Sequence, residues 1–349
     1  MQLTTDACII GAGPGGAATA LKLSYLGIPS VLVDKASFPR DKVCGDAISG
    51  KVTTLLNRLD PEILQRFNAS PVQSDVWGIQ FVSPNNRALN IPFRPNYVRN
   101  AAEAPGYVTK RMDFDHFLVK EVERRDNIRF FDNTEIVTFK RTETGWSVGT
   151  RSGDFTVHCR MLIVANGAYS AFSRKEAGLE KDNKHYAAAV RAYYRNVKAL
   201  DKDNFIELHF IKSVTPGYFW IFPLPNGEAN VGLGMRSDIL NRRKVNLRKE
   251  MLQLLETHPV LKERFKDAEL IGGIKGFGLP LGSKRRSISG DHYMLVGDAG
   301  HLVDPLTGEG IGNAFYSGFI AAEQLEQCLQ ANDFSAAFLK AYDKRVDRV

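Results

Sequence analysis

Apolar and polar positions at the start of the chain follow the order of a strand, a helix and a second strand. Residues 7–10 form a short continuous apolar run after Asp6, which predicts a buried strand at 6–10. A glycine-rich turn at 11–16 follows, and then a helix of small and apolar residues that Gly27 ends. Because residues 31–33 form another apolar run, which predicts a second strand at 30–34, we predict a βαβ unit with a parallel strand pair and a right-handed crossover.

Apolar residues change their spacing along the middle of the chain. Between 113 and 125 they recur at helical spacing and predict an amphipathic helix. Residues 161–165 form a continuous run that predicts a buried strand, which ends at Asn166-Gly167. Shorter alternating runs between these two elements predict strands, and they contain Ile128, Phe130, Ile136, Val137, Trp146, Val148, Phe155 and Val157.

A long alternating pattern from 186 to 236 predicts an antiparallel sheet. Asn226-Gly227 is a strong hairpin signal and joins a strand at 217–224 to one at 229–236. The elements predicted after it are an amphipathic helix around 245–257, a strand at 293–296, a glycine-rich turn and a helix from about Gly310.

This order of elements predicts an α/β fold in which one domain is interrupted by another. The first is a Rossmann-like, nucleotide-binding domain with a parallel sheet, and the second is an α+β substrate-binding domain with an antiparallel sheet. We assign residues 1–72, 104–180 and 277–349 to the first domain. Residues 73–103 and 181–276 are assigned to the second.

Composition is that of an ordinary globular protein, with 44% apolar and 24% charged residues. No apolar run reaches the roughly 18 residues of a membrane span, and the N-terminus has no basic segment or cleavage site typical of a secretory signal. The four scattered cysteines form no CxxC pair, so we expect reduced thiols in the cytoplasm and no metal site. Association with a membrane surface is an alternative location.

The net charge of +7 and the pI near 9.1 indicate attraction to acidic partners. Nucleic acid, anionic lipid and a diphosphate substrate all fit this charge. We interpret the two short basic clusters, at 242–244 and 284–286, as solvated faces. No nucleic-acid motif accompanies them, so nucleic acid is not an expected partner.

Three segments carry residues suited to a dinucleotide cofactor, and the first is the GxGxxG turn. Gly11 allows the tight turn, Gly13 lets the backbone approach a pyrophosphate, and Gly16 permits close packing of helix on strand. Asp34, at the end of the next strand, can accept hydrogen bonds from ribose hydroxyls. The predicted contacts in this segment are Gly11, Gly13, Pro14, Gly15, Gly16, Asp34 and Lys35.

The second segment is again a strand, a glycine-rich turn and a helix, at 296–312. Asp298 is suited to hydrogen-bond a polyol such as ribityl, and Gly308, Gly310 and Gly312 would leave backbone N–H groups free near the helix start. Two such turns fit a long cofactor with a sugar at each end, which favours non-covalent FAD over NAD. The predicted contacts here are Gly297, Asp298, Pro305, Gly308, Gly310, Ile311 and Gly312.

The third segment is Arg111-x-x-Phe114-Asp115, at the start of the 113–125 helix. An arginine near a helix start is usually solvated. Beside the other two segments, Arg111 becomes a candidate contact for the flavin or the pyrophosphate.

Together these segments resemble the FAD-dependent hydroxylases and reductases built like p-hydroxybenzoate hydroxylase. That superfamily joins a GxGxxG segment, a mid-chain Asp-Gly segment and a late Gly-Asp segment in this order. The mid-chain element here carries Asn166 in place of the usual Asp, followed by Gly167, a predicted cofactor contact. Since the acid is linked to the pyridine nucleotide, its replacement weakens a hydroxylase assignment, although Asn keeps a polar contact.

Within that superfamily, segments 38–46, 216–223 and 304–311 are similar to the geranylgeranyl reductase family. The resemblance implies an FAD-dependent enzyme that reduces carbon–carbon double bonds of a prenyl-like or other apolar lipid substrate by hydride transfer from the reduced flavin. It implies no separate nicotinamide-binding domain. The electron donor would therefore be NADPH, binding transiently, or ferredoxin.

The resemblance places the loop of Lys42, Cys44 and Gly45 beside the flavin. The Cys44 thiol could position substrate or relay a proton, or it could be a small packing residue. Lys42 could bind a phosphate or the flavin, or be a surface lysine. His301 flanks the Gly-Asp turn and is interpreted as a hydrogen-bonded structural histidine.

Aromatic faces can stabilise positive charge that develops on an alkene carbon during reduction. Tyr218 and Trp220 are candidate catalytic residues for this reason, although aromatic strand residues are more often plain core. Other candidates for the same wall are Phe219, Phe222, Tyr193 and Tyr194.

Two other functions remain open at this point. A flavin monooxygenase or halogenase of the same fold is the enzymatic alternative, since Gly217-Tyr218-x-Trp220 is faintly like a halogenase Trp-x-Trp motif. A non-catalytic flavin carrier or sensor is the alternative of another class. The interrupting antiparallel domain argues against it, because small carriers rarely need one.

Overall fold

The computed structural model describes residues 1–98 and 103–348. Its strands are β1 (Gln2–Ile10), β2 (Ser30–Val33), β3 (Ala47–Ile48), β4 (Gln73–Val76), β5 (Gly78–Val82), β6 (Ala88–Pro92), β7 (Gly106–Thr109), β8 (Ile128–Phe131), β9 (Thr138–Thr142), β10 (Gly145–Gly149), β11 (Thr156–Val164), β12 (Tyr186–Arg195), β13 (Ile206–His209), β14 (Gly217–Pro223), β15 (Glu228–Arg236), β16 (Glu269–Pro280), β17 (Ser289–Gly290) and β18 (Tyr293–Leu295). Its α-helices are α1 (Pro14–Tyr25), α2 (Gly50–Leu59), α3 (Pro61–Asn68), α4 (Arg111–Glu123), α5 (Ala171–Lys175), α6 (Ser237–Arg243), α7 (Leu247–Thr257), α8 (Pro259–Phe265), α9 (Ile311–Ala331) and α10 (Ala336–Val346).

A mostly parallel sheet is built on the continuous apolar runs of the sequence. Within the described residues its order is β17-β18-β11-β1-β2-β8, and β10 and β9 extend it from β11. β18 is parallel to β11, so the late strand completes a sheet that the first strand begins. Helices α1 and α9 pack on it, and they touch closely because Gly318 lies against the backbone of Gly15.

A second, mainly antiparallel sheet has the order β16-β12-β15-β14-β13-β5-β6 over the part of the chain that is described. Its residues alternate between two faces. One face packs on helices α6, α7 and α8 through residues such as Phe219, Leu233 and Met251. The other face carries Trp220 and Phe222, and there the small sheet β3-β7-β4 contributes Val76 and Val108 to the packing.

The predicted fold class is confirmed: a Rossmann-like parallel sheet and an antiparallel sheet occur in one chain. The predicted domain limits stay a prediction, and their residues 99–102 and 349 lie outside the described residues.

Several local predictions were wrong, each for a physical reason. Ile136 and Val137 precede β9, because apart from one bond from the Val137 N–H to Gly149 they join no ladder. The runs at 155–157 and 161–165 are joined, apart from their outer residues, in the single strand β11 (Thr156–Val164), whose first half alternates beside β10 and whose second half is buried on both faces. The helix expected at 245 begins at Leu247 because Asn246 caps it.

Candidate cofactor and active site

The first glycine turn has the close approaches that its spacing predicts. Gly11 has a φ of +100°, and a Cβ atom there would lie 2.5 Å from the carbonyl oxygen of Ala165. A Cβ at Gly16 would lie 1.7 Å from the carbonyl oxygen of Gly11. These positions therefore require glycine for the fold, whatever binds above them.

Gly13 is different, because the space above it is open. A Cβ there would first meet guanidinium nitrogens, at 3.6 Å from Arg40 and 4.0 Å from Arg111. Gly13 is also the N-cap of α1, with Pro14 at the first helical position and no side chain capping the helix. The free N–H groups of the first turn and two cations thus face one cradle, which is suited to a pyrophosphate.

The two guanidinium groups are fixed by one buried carboxylate. Arg111 donates two hydrogen bonds to Asp115, each 2.7 Å long, and Arg40 lies 2.8 Å from the same carboxylate. Burial alone would lower the pKa of Arg111, but the adjacent Asp115 outweighs it and raises that pKa. Two positive charges against one negative charge leave the cradle cationic, so the residues present fit the diphosphate of FAD.

Asp34 follows β2, and its side chain hydrogen-bonds to the backbone of the first glycine turn. Its carboxylate accepts hydrogen bonds from the backbone N–H groups of Ala12, at 2.7 Å, and Ala36, at 2.9 Å. An ionised carboxylate has about four acceptor positions, so Asp34 can still accept from a ribose hydroxyl. Lys35, which follows it, is exposed.

The late turn meets the early one through its backbone. A Cβ at Gly15 would lie 2.7 Å from Val296, and a Cβ at Gly297, where φ is +60°, would lie 2.8 Å from Ala314. Glycine at both positions therefore lets the two glycine-rich turns pack together.

Asp298 and Lys42 come from distant parts of the sequence and meet beside this junction. The Lys42 Nζ lies 3.9 Å from the Asp298 carboxylate, and the lysine side chain is 25% exposed. Burial and the Arg111 guanidinium lower the pKa of Lys42. Lys42 is thus not a plain surface lysine, and it faces the same space as the late turn.

The loop before α9 corrects one prediction. The Gly308 N–H is not free, because it donates to the carbonyl oxygen of Asp304 at 3.0 Å. The Asp304 side chain accepts from two further N–H groups, which leaves Pro305 exposed on a tight loop. Gly310 is the N-cap of α9, and the N–H groups of Ile311 and Gly312 in its first turn have no acceptor within the helix.

Cys44 lies on a loop held by a buried polar hub, which we define as Asn230, Asp46, Tyr193 and the indole N–H of Trp220. Asn230 donates to the Cys44 carbonyl oxygen at 2.8 Å and to Asp46 at 2.7 Å, and it accepts from Trp220 at 2.8 Å. The Tyr193 hydroxyl donates to Asp46 at 2.7 Å. Burial raises the pKa of Asp46 to about 6, although the bonds from Tyr193 and Asn230 act in the opposite direction.

The aromatic strand β14 divides its side chains between two faces. Tyr218 and Trp220 lie on the face toward the cofactor segments, where the Tyr218 hydroxyl donates to the Thr307 carbonyl oxygen. Gly45 packs beside this wall, since a Cβ there would lie 3.1 Å from Phe222. The prediction that Phe219 and Tyr194 share the wall was wrong, because alternation sends them to the other face, against Phe265.

Gly167, with a φ of +83°, borders a cavity of about 310 Å³ that Tyr169, Phe277 and His301 also line. Burial and the nearby Arg286 lower the pKa of His301 to about 4, so its imidazole is neutral at pH 7. Its buried Nδ1 has no hydrogen-bond partner within the described part of the chain, which does not fit the predicted hydrogen-bonded role.

Sequence reasoning did not single out Arg40, Asp46 and Asn230, and it named Asp115 only as the last residue of the Arg111 segment. Arg40 and Asp46 stand inside the segment at 38–46, so their position beside Cys44 was a usable signal. The indication for Asn230 was weaker, since it is a polar residue within an otherwise apolar predicted strand. In the described residues, no cluster of three or more His, Cys, Asp or Glu is placed to hold a metal ion.

Comparison with known proteins was made against sequence families, curated relatives and solved structures. The profile of the family described as FAD binding domain matches residues 4–349. Digeranylgeranylglycerophospholipid reductase 2 of Methanosphaera stadtmanae is 29% identical over 352 residues, covering 99% of this chain and 84% of the relative. Menaquinone reductase of Mycobacterium tuberculosis H37Rv is 30% identical over 333 residues, which cover 93% of this chain and 77% of the relative.

Among solved structures, a geranylgeranyl bacteriochlorophyll reductase-like protein from Thermoplasma acidophilum superposes with a TM-score of 0.84 at 26% identity, covering 100% of this chain and 84% of that one. A flavin-dependent brominase superposes with a TM-score of 0.81 at 20% identity, covering 99% of this chain and 84% of that one. At this identity the match shows the fold alone. The resemblance to the geranylgeranyl reductase family and the prediction of FAD are confirmed by these matches.

Proposed function

The chain belongs to the FAD binding domain family, and on that premise we propose that this FAD-dependent oxidoreductase reduces carbon–carbon double bonds in a prenyl-like lipid. The observation that carries the proposal is the position of the aromatic wall. Tyr218 bonds to the late glycine loop, and Trp220 is tied through Asn230 to the Cys44 loop. An apolar surface therefore adjoins both segments that are proposed to flank the flavin ring.

The relatives support an isoprenoid substrate. One is named for a digeranylgeranyl lipid and another for menaquinone, and both compounds carry isoprenoid chains. An isolated alkene accepts hydride poorly and develops cationic character as it takes up a proton. Aromatic faces such as those of Tyr218 and Trp220 stabilise such a cation and exclude water from it.

Each protein group has a proposed task in this reaction. When bound, FAD supplies the hydride from its reduced ring. Arg40 and Arg111 hold the pyrophosphate, while Asp34 and Asp298 accept from the cofactor's hydroxyl groups. Cys44 positions the alkene or delivers the proton. Electrons are proposed to reach the flavin from NADPH, which binds transiently, or from ferredoxin.

The test separates the two half-reactions. FAD-loaded protein is reduced chemically without oxygen and mixed with a geranylgeranyl lipid in detergent, while flavin reoxidation is followed by absorbance and the lipid by mass spectrometry. A gain of two hydrogens per turnover is the expected result. Gain of one oxygen in the presence of air would instead indicate a monooxygenase, and a flavin that stays reduced with every lipid would indicate a carrier or sensor.

Cys44→Ser and Cys44→Ala distinguish chemistry from packing at this residue. If the thiol acts chemically, both variants keep FAD and are reduced normally, but reoxidation by lipid slows, because a hydroxyl is a far weaker acid than a thiol. Wild-type reoxidation rates in both variants would remove Cys44 from the mechanism.

A further inference from the structure

We propose that the edge hairpin of β5 and β6 docks on an anionic bilayer surface, so that a lipid chain can pass from the membrane along the half-buried rings of Phe81 and Phe210 to Tyr218. The proposal rests on the lipid reductase function above and names the route by which its substrate arrives. No helix within the described ranges is long and apolar enough to cross a membrane.

β6 is an edge strand whose apolar side chains are exposed. Leu89 is 60% exposed, Ile91 42% and Phe93 43%. Their spacing of two residues places Leu89 and Ile91 on one face of the strand, with Phe93 directly after it. Most other exposed apolar side chains are single residues far apart in the sequence, which is normal for a protein surface, whereas this group is consecutive on one strand.

The strand register connects this edge to the aromatic wall. Leu89 lies opposite Phe81, Phe81 opposite Leu208, and Leu208 opposite Trp220. These residues therefore share one face across four neighbouring strands, a width of roughly 14 Å at the usual strand spacing.

Ring contacts make the same connection at the level of side chains. The ring centroids of Phe81 and Phe210 are 6.2 Å apart, those of Phe210 and Tyr218 6.3 Å, and those of Tyr218 and Trp220 6.2 Å. Phe81, Phe210 and Tyr218 are only half-buried, so this part of the face is accessible from outside. Beyond Trp220 the same face carries Arg191 and Tyr193, and its apolar surface therefore runs outward toward β6.

Charge complements the apolar edge. Arg87 and Arg94 stand at the two ends of β6, both exposed, and the chain carries a net charge of +7. Exposed apolar side chains flanked by arginines are the combination that holds proteins at the interface of an anionic membrane. Long prenyl lipids partition into bilayers. Docking on a bilayer therefore places the substrate beside the start of the route.

The test measures vesicle binding without turnover. FAD-loaded protein is sedimented with vesicles of phosphatidylglycerol and phosphatidylcholine, or of phosphatidylcholine alone, and the bound fraction gives a partition coefficient. Wild type should bind the anionic vesicles more strongly. Leu89→Glu with Ile91→Glu should lower the coefficient about tenfold or more, because two apolar contacts are replaced by charges repelled by the surface.

Leu252→Glu is the matched control, since Leu252 is 39% exposed on α7, which covers the opposite face of the sheet. It should bind as wild type does. FAD absorbance and melting temperature verify that each variant is folded, and Leu89→Ser with Ile91→Ser serves if the double glutamate variant loses FAD.

Equal vesicle binding by wild type and the double variant would overturn the proposal, as would wild type that binds neither vesicle. A double variant that converts a wild-type dimer to a monomer while keeping vesicle binding would also overturn it, because the surface would then contact a second copy. Since no lipid is reduced in this assay, failure of the proposed reaction and failure of the docking surface give separate results.

Discussion

Asn230 joins three parts of the site, so replacing it tests the polar hub directly. Asn230→Leu keeps the branched shape and the number of heavy atoms of the side chain but removes its polar atoms. The Trp220 N–H and the Cys44 carbonyl then lose their partners, and the Asp46 carboxylate loses one donor. Because the leucine fills the same space, little of the effect should come from an empty cavity.

The magnitude follows from the cost of buried polar groups without partners. Each costs roughly 1–3 kcal/mol, so the two groups left without partners, the Trp220 N–H and the Cys44 carbonyl, should lower the free energy of unfolding by about 2–6 kcal/mol. That is a large share of the roughly 5–15 kcal/mol that stabilises a typical protein. The pKa of Asp46, already raised to about 6 by burial, should rise further as a donor is lost.

Urea unfolding followed by tryptophan fluorescence measures the loss of stability, and the rate at which iodoacetamide alkylates Cys44 measures the release of the Cys44 loop. Alkylation should accelerate, since the backbone of the Cys44 loop is no longer held. Asn90→Leu is the control, because Asn90 is an exposed asparagine of the same sheet, bonded to Gln80 at 2.8 Å, and should change stability by less than about 0.5 kcal/mol. A cost below about 1 kcal/mol for Asn230→Leu, with unchanged alkylation, would refute the hub.

Three further outcomes are expected. Asp34→Ala and Asp298→Ala should each weaken FAD binding about tenfold or more in titrations of the apoprotein, and retention of wild-type affinity by both would mean that the cofactor lies elsewhere. Because burial raises the pKa of Asp46, the stability that its protonated form contributes is complete below pH about 4 and is lost as pH rises through about 6. Between pH 4 and 7 the free energy of unfolding of wild type should fall by about 3 kcal/mol relative to that of Asp46→Asn. Parallel curves of unfolding free energy against pH would contradict this. Gly16→Ala should prevent folding or FAD binding, because its Cβ would lie 1.7 Å from a backbone oxygen, whereas Gly273→Ala, with nothing within 4 Å, should have a normal melting temperature.

Strong local signals made the parallel sheet predictable from the sequence. The continuous run before Gly11 and the one before Gly297 are buried on both faces, and each is followed by a glycine turn with its own steric reason. Neither signal depends on distant residues. The hairpin at Asn226 was predictable for the same reason, since Asn226 adopts a φ of 62° that few residues tolerate.

The hub and the small third sheet were not predictable, because their members are brought together only by tertiary packing. Asn230 bonds to Cys44 across more than 180 positions, and no spacing rule covers such a pair. The edge strand β6 was missed because its residues are exposed on both faces, so no alternation in burial marks it. The free N–H predicted at Gly308 failed because the Asp304 carbonyl, four positions earlier, accepts from it.

The pairing of β18 with β11, and of α9 with α1, has a consequence for the order of synthesis. The first phosphate-binding turn leaves the ribosome nearly three hundred residues before Gly312, a delay on the order of 15–60 s at about 5–20 residues per second. Until that moment the late glycine turn and the start of α9 are missing beside Gly15, although the antiparallel sheet, whose last strand ends at Pro280, can already be complete. The complete FAD site proposed above therefore exists only once the chain has been synthesised through the start of α9.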